Sequence, residues 1–173
     1  MHVFVDESER RGYLLVAAVV APPELHGTRT LLRGLLLPGE RRVHFKSERD
    51  SRRRLILARL VEAGVRTRLY AAGGAGEPVR AVLLRHLVTD AIALGAQRLV
   101  IDARDPAGNA RDRSVIAKTK ARAAGLVYEH MPASGEPLTW IADAVAWSYG
   151  AGGDWRRRVE PLVETVTDLG ALR

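Results

Sequence analysis

HVFVDESERRGYLLVAAVV, from His2 to Val20, is the stretch whose reading decides the fold. Two apolar runs, residues 2–6 and 13–20, flank a charged turn from Glu7 to Gly12. Runs of that length, rich in Val and Leu and bounded by turn residues, read as a hairpin of buried strands. Downstream, helical and strand patterns alternate. A helix is predicted over 24–37, closed by Pro38-Gly39, and a short strand over 41–46. Asp50 is placed to cap a helix running to Ala63, and Val65 to Ala71 alternates as a half-exposed strand does. Val79, Leu83, Leu87, Ala91 and Leu94 recur at helical spacing over 78–94, and Gly95 ends that helix. Strands follow at 98–102 and 126–131. Between them Asn109 is placed to cap a basic helix to Ala124, and the last strong pattern is a helix over 138–149. The tail beyond Gly150 carries one more short helix. A hairpin followed by alternating helices and strands implies an α/β fold built on one mixed β-sheet flanked by helices.

With 173 residues, 47% of them hydrophobic, the chain can bury one good core but not two, so a single domain over 1–173 is expected. No apolar run reaches the ~18 residues a membrane span needs. The N-terminus lacks a signal-peptide pattern and there is no cysteine, hence no disulfide and no thiolate metal site. These features point to a cytoplasmic protein without a membrane partner. The net charge is +7, and the cations are 24 arginines against three lysines, Lys46, Lys118 and Lys120. A GC-rich genome would explain the choice of arginine but not the excess of charge. That excess suits a polyanion, and the guanidinium fork suits phosphate. Nucleic acid, RNA or DNA, is the expected partner. Arg111, Lys118 and Arg122 are set on one face of the helix over 109–124 as candidate contacts. The triplets Arg52-Arg53-Arg54 and Arg156-Arg157-Arg158 could also line a groove. With only two Phe, four Tyr and three Trp, stacking platforms are scarce and contacts should be mostly to phosphate.

Three carboxylates stand out. Asp6 and Asp102 each close an apolar strand. Asp143 lies in a helix apolar nearly all round, one turn from Trp140 and one from Trp147. An unpaired carboxylate there costs several kcal/mol and tends to protonate, so it needs either a metal ion or an arginine. Divalent ions held by carboxylate oxygens can stabilise a pentavalent phosphorus and activate water. Glu7, Glu48 and Asp105 are weaker candidates; Glu7 should point to the other face of its strand and Asp105 could be a loop cap.

Four motifs occur in order: Asp6-Glu7-Ser8 after the first strand, Val43-His44-Phe45-Lys46-Ser47, Leu99-Val100-Ile101-Asp102, and Trp140-Ile141-Ala142-Asp143-Ala144-Val145-Ala146. Together they resemble the family known as domain of unknown function 3800, over residues 2–150. The resemblance implies a ribonuclease H-like fold and a metal-dependent nuclease or phosphotransferase. It places Asp6, Asp102 and Asp143 as ligands to Mg²⁺ or Mn²⁺, with Glu7 or Glu48 completing the site. Ser8 falls on the first motif; His44 and Lys46 fall on the second, near the phosphate. Three departures stand against it. Glu9 replaces a glycine, Trp140 replaces a glutamine, and Arg42 stands where an acid is usual. The alternative is a catalytically inactive nucleic-acid-binding or protein-interaction module on the same fold.

Overall fold

The computed structural model describes residues 1–172. Its six strands are β1 (His2–Ser8), β2 (Tyr13–Val20), β3 (Arg66–Gly73), β4 (Arg98–Asp102), β5 (Val127–Met131) and β6 (Val163–Ala171). They form one sheet in the order β5-β4-β1-β2-β3-β6. β1–β2 and β2–β3 are antiparallel, while β1–β4, β4–β5 and β3–β6 are parallel. The helices are α1 (Leu25–Gly34), α2 (Asp50–Glu62), α3 (Gly76–Ala93), α4 (Pro106–Ala117), α5 (Thr139–Ala151) and α6 (Gly153–Val159). A mixed sheet with helices on both faces is the α/β architecture expected from the sequence. No helix among the described residues is long and apolar enough to cross a membrane.

The pleat divides the sheet into two cores. Phe4, Val16, Ala18, Leu69 and Val100 face α1, α2 and α5, where Leu32, Leu60, Ile141 and Val145 meet them. Val3, Val5, Leu15, Tyr70 and Ile101 face α3 and α4, packing on Leu83, Leu87 and Ile116. β2 is paired on both sides and buried along all eight residues, which is why it reads as an unbroken apolar run. The turn before it needs Gly12: at φ +103°, a Cβ there would lie 2.9 Å from the Ala72 carbonyl oxygen.

Several expectations fail locally. Residues 41–46 form no strand. Val43 and Phe45 alternate as strand residues would, but both sink into the α2–α5 core, and Phe45–Ser47 closes as a 3₁₀ turn. Arg53 clasps that turn, donating from Nε to the Phe45 carbonyl at 3.0 Å and from Nη2 to that of Lys46 at 2.6 Å. The helix expected over 24–37 is a 3₁₀ turn, Pro22–Glu24, followed by α1 ending at Gly34. Arg49, not Asp50, is the residue before α2; Asp50 opens the helix and pairs with Arg53 at 2.8 Å. Asp105, not Asn109, caps α4, accepting from the Gly108 N–H at 2.6 Å. α4 ends at Ala117 and gives way to turns, so Arg111, Lys118 and Arg122 do not share one helical face. β6 was not foreseen. It is a largely exposed edge strand whose polar residues mask its pairing with β3.

Leu83 is fully buried under β1–β3 on the α3 side. Leu83→Ala should cost about 2–5 kcal/mol of stability, read as a lower denaturant midpoint with unchanged m-value.

Candidate acidic site

Asp6 and Asp102 meet because of strand register. Val5 lies opposite Ile101 in the parallel β1–β4 pair, so the next residue on each strand is an aspartate. Both share the parity of Phe4 and Val100 and leave the sheet on its α5 side. There α5 presents Asp143. The three carboxylates, with Glu7, Arg42 and His44, line a cavity of about 240 Å³ walled by Trp140, Thr139, Val43 and Ala133. Trp140 is fixed by donating Nε1–H to the Ala133 carbonyl at 2.6 Å. The backbone N–H of Phe45 donates to Asp143 Oδ2 at 2.9 Å, which ties the 3₁₀ turn to α5.

No arginine or lysine forms an ion pair with Asp6, Asp102 or Asp143 among the described residues, although 24 arginines are present. His44 Nδ1 lies 4.0 Å from Asp143 Oδ2, but it sits only 2.7 Å from Arg42 Nη2. The shorter contact decides the chemistry. Guanidinium can only donate, so Nδ1 accepts and the ring proton belongs on Nε2; the longer contact is then no ion pair. Burial, followed by the charges of Asp143 and Asp102, pushes the Asp6 carboxyl up to about 8, against a 2.7 Å hydrogen bond from the Glu7 N–H. Burial also raises Asp102, to about 6, with Arg42 opposing and Glu7 and Asp143 adding to it. Burial raises Asp143, while the Phe45 N–H and then the charge of Arg42 hold it down. The cavity therefore gathers carboxyls that resist ionisation, with the field of Arg42 opposing that resistance at Asp102 and Asp143.

The donor set suits a hard divalent ion: several carboxylate oxygens, partly desolvated and unpaired. The side chains as they stand are not gathered for coordination, however. Among the described residues, no three His, Asp or Glu groups are close enough to hold a metal ion. Three mutually repelling carboxylates would have to draw together around a cation to bind it.

The other sequence candidates lie apart. Glu7 borders the cavity, but its carboxylate turns to the opposite face and pairs with Arg80 at 2.6 Å. Glu48 pairs with Arg52 at 3.3 Å. Ser8 accepts from the Arg10 N–H at 3.3 Å, beyond the cavity's rim. The exposed Lys46 and the residues Arg111, Lys118 and Arg122 do not line it. Sequence reasoning did not place Arg42 in the site, although its position in an acid's place was the available signal.

It also missed a charged network behind the site. Arg80, 1% exposed, forks onto Asp112 at 2.7 and 2.8 Å and reaches Glu7 and the Tyr13 hydroxyl. His130 Nε2 lies 3.0 Å from Asp112 Oδ2, and Arg104 bridges Asp112 and Glu77. Burial tends to raise Asp112, but hydrogen bonds from Arg80 and His130 bring it down to about 2. Nothing in the apolar periodicity of α3 betrays a buried arginine.

No family model matches the chain, so the resemblance drawn from its motifs rests on those motifs. No curated protein matches it either. Among solved structures, a chain in the PCNA:RNase HII complex from Archaeoglobus fulgidus superposes with a TM-score of 0.49 at 12% identity, covering 85% of this chain and 70% of that one.

Two outcomes follow from these charges. Asp6 keeps its proton in the fold up to about pH 8, whereas its ordinary value is 3.8. Between those pH values the folded state binds the extra proton, so in chelator stability should fall as pH rises. Asp6→Asn should remove the part of that fall between about pH 6 and pH 8 and melt several degrees above wild type at pH 8, with the gap narrowing towards pH 4. Arg80→Met should cost about 3–5 kcal/mol in equilibrium unfolding, because it leaves Asp112 buried and unpaired.

Proposed function

We propose that the protein is a metal-dependent nuclease that hydrolyses phosphodiester bonds in RNA or DNA, its residues 1–173 forming one domain. The observation that carries this reading is the unneutralised group of Asp6, Asp102 and Asp143 on one cavity at the ends of β1 and β4. Mg²⁺ or Mn²⁺ held by these aspartates would supply Lewis-acid stabilisation of a phosphoryl oxygen and lower the pKa of a bound water. The protein's own part is positional. Asp6 and Asp102 are fixed by strand pairing, and Asp143 by its helix and the Phe45 N–H. Arg42 brings a guanidinium to the cavity wall, where it can donate to a phosphate oxygen. His44, with Nδ1 engaged by Arg42, has its Nε2–H to donate to substrate or leaving group. Glu7 is held by Arg80 behind the site and serves to shape its field.

Arg42 also favours a second reading. An internal cation in place of an acid partly balances the cavity and suits a catalytically inactive nucleic-acid-binding module.

Incubation with single- and double-stranded RNA and DNA, in Mn²⁺, Mg²⁺ or chelator, separates the two. Under the nuclease reading, cleavage requires metal and drops at least a hundredfold in Asp102→Asn. Mn²⁺ should also raise the melting temperature of wild type but not of Asp102→Asn. Binding without cleavage in every metal would leave the binding module.

A further inference from the structure

A second cavity, about 260 Å³, opens where the β1–β2 turn, the end of β3 and the α5–α6 junction converge. Arg10, Arg11 and Arg156 line it, with Tyr149, Gly152 and one acid, Asp168. The arginines set it apart. Their neighbours on α6 are neutralised, since Arg157 and Arg158 share Asp154, whereas these three converge on one cavity. Arg10, Arg11 and Arg156 pair with no acid among the described residues, and Asp168 accepts instead from the Gly170 N–H at 2.9 Å.

Two of these side chains rest on aromatic rings, and the third follows from a constrained backbone. The Arg156 guanidinium lies 4.1 Å from the Tyr149 ring centroid and donates Nη2–H to its hydroxyl at 2.7 Å. Arg10 stands 5.6 Å from the Trp147 ring. Arg11 is fixed in the left-handed region at φ +61°, and its Nη1 comes within 3.1 Å of where a Cβ on Gly152 would be. Gly152 thus leaves the room that this guanidinium occupies. Stacked guanidiniums keep N–H groups free for an anion while losing little further rotamer freedom on binding. Tyr149 carries Arg156, and Trp147 carries both Arg10 and Arg53, so the rings beside the cavity are engaged in holding guanidiniums. What this cavity can recognise is phosphate.

Its position relates it to the acidic cavity. Asp143 and Tyr149 are six residues apart on α5, a rise of about 9 Å. Asp6 and Arg10 are four residues apart, so even a fully extended chain would separate them by no more than about 13 Å. A strand whose phosphate sits among the arginines therefore extends within reach of the aspartates.

We propose that the Arg10–Arg11–Arg156 cavity is a phosphate subsite that anchors a nucleic-acid strand beside the acidic cavity. It rests on the nuclease or nucleic-acid-binding reading above. The phosphate is either an internal diester or the 5′ end of the strand; both present the same oxygens to the three guanidiniums.

Fluorescence anisotropy in chelator tests it, with single-stranded oligonucleotides carrying a 5′-hydroxyl or a 5′-phosphate, across a salt series. The double variant Arg11→Asn, Arg156→Gln keeps a residue that tolerates the left-handed turn. Arg85→Gln, Arg113→Gln removes the same charge from the α3–α4 side of the sheet. The subsite predicts at least tenfold weaker binding in the first variant and a salt slope shallower by about one to two units, with little change in the second. A 5′-phosphate preference lost in the first variant assigns the terminal group; equal loss for both oligonucleotides assigns the internal diester. Equal weakening in the two variants, or none in the first, overturns the subsite while leaving the nucleic-acid reading intact. Wild type that binds no oligonucleotide overturns both.

Discussion

The alternation of side chains along β1 is the constraint on which the rest depends. Successive residues of a pleated strand leave by opposite faces, so Asp6 and Glu7 are neighbours in the chain and occupy different chemical worlds. Asp6 enters the α5 side and joins Asp102 and Asp143. Glu7 enters the α3–α4 side and meets Arg80. A slip of one residue in register would exchange them, turning the acidic cavity and the charged network inside out. The full burial of β2 and the β1–β4 pairing forbid that slip.

The two faces treat charge in opposite ways. In the network behind the sheet the acids are matched: Arg80 forks onto Asp112, His130 caps the same carboxylate, and Arg104 closes the group. Such a network is stable only when complete, and it holds its members in one geometry. In front, burial and neighbouring carboxylates raise Asp6 and Asp102, and no basic side chain among the described residues forms an ion pair with either. Arginine is abundant and could have neutralised them. The fold instead brings only Arg42 to the cavity wall and leaves it out of ion-pair distance, a stability cost expected of a site kept ready for an external cation.

The legible parts of the sequence were those where burial is complete on both sides of an element. β1, β2 and β4 are apolar runs, and α5 is apolar nearly all round because it lies across the middle of the sheet. Their polar exceptions, Asp6, Asp102 and Asp143, were visible for the same reason. Elements that depend on tertiary contact were not. The 43–47 segment alternates like a strand but is shaped by Arg53 and by the pocket for Phe45. β6 gains its place from a neighbour rather than from its own apolarity. Arg80 hides within the apolar stripe of α3, since a buried cation leaves no periodic trace until its acids are brought to it from residues 7 and 112.

The spacing of the three aspartates along the chain bears on how the protein comes into being. β1 pairs first with its hairpin partner β2, a local contact, whereas its pairing with β4 closes a loop of nearly a hundred residues. Asp143 arrives later still, on a helix near the C-terminus. During synthesis from the N-terminus, Asp6 is therefore present long before the carboxylates it repels. A nascent β1–β2 hairpin meets no repulsion from Asp102 or Asp143, and the three-carboxyl cavity exists only once β4 and α5 have joined the sheet.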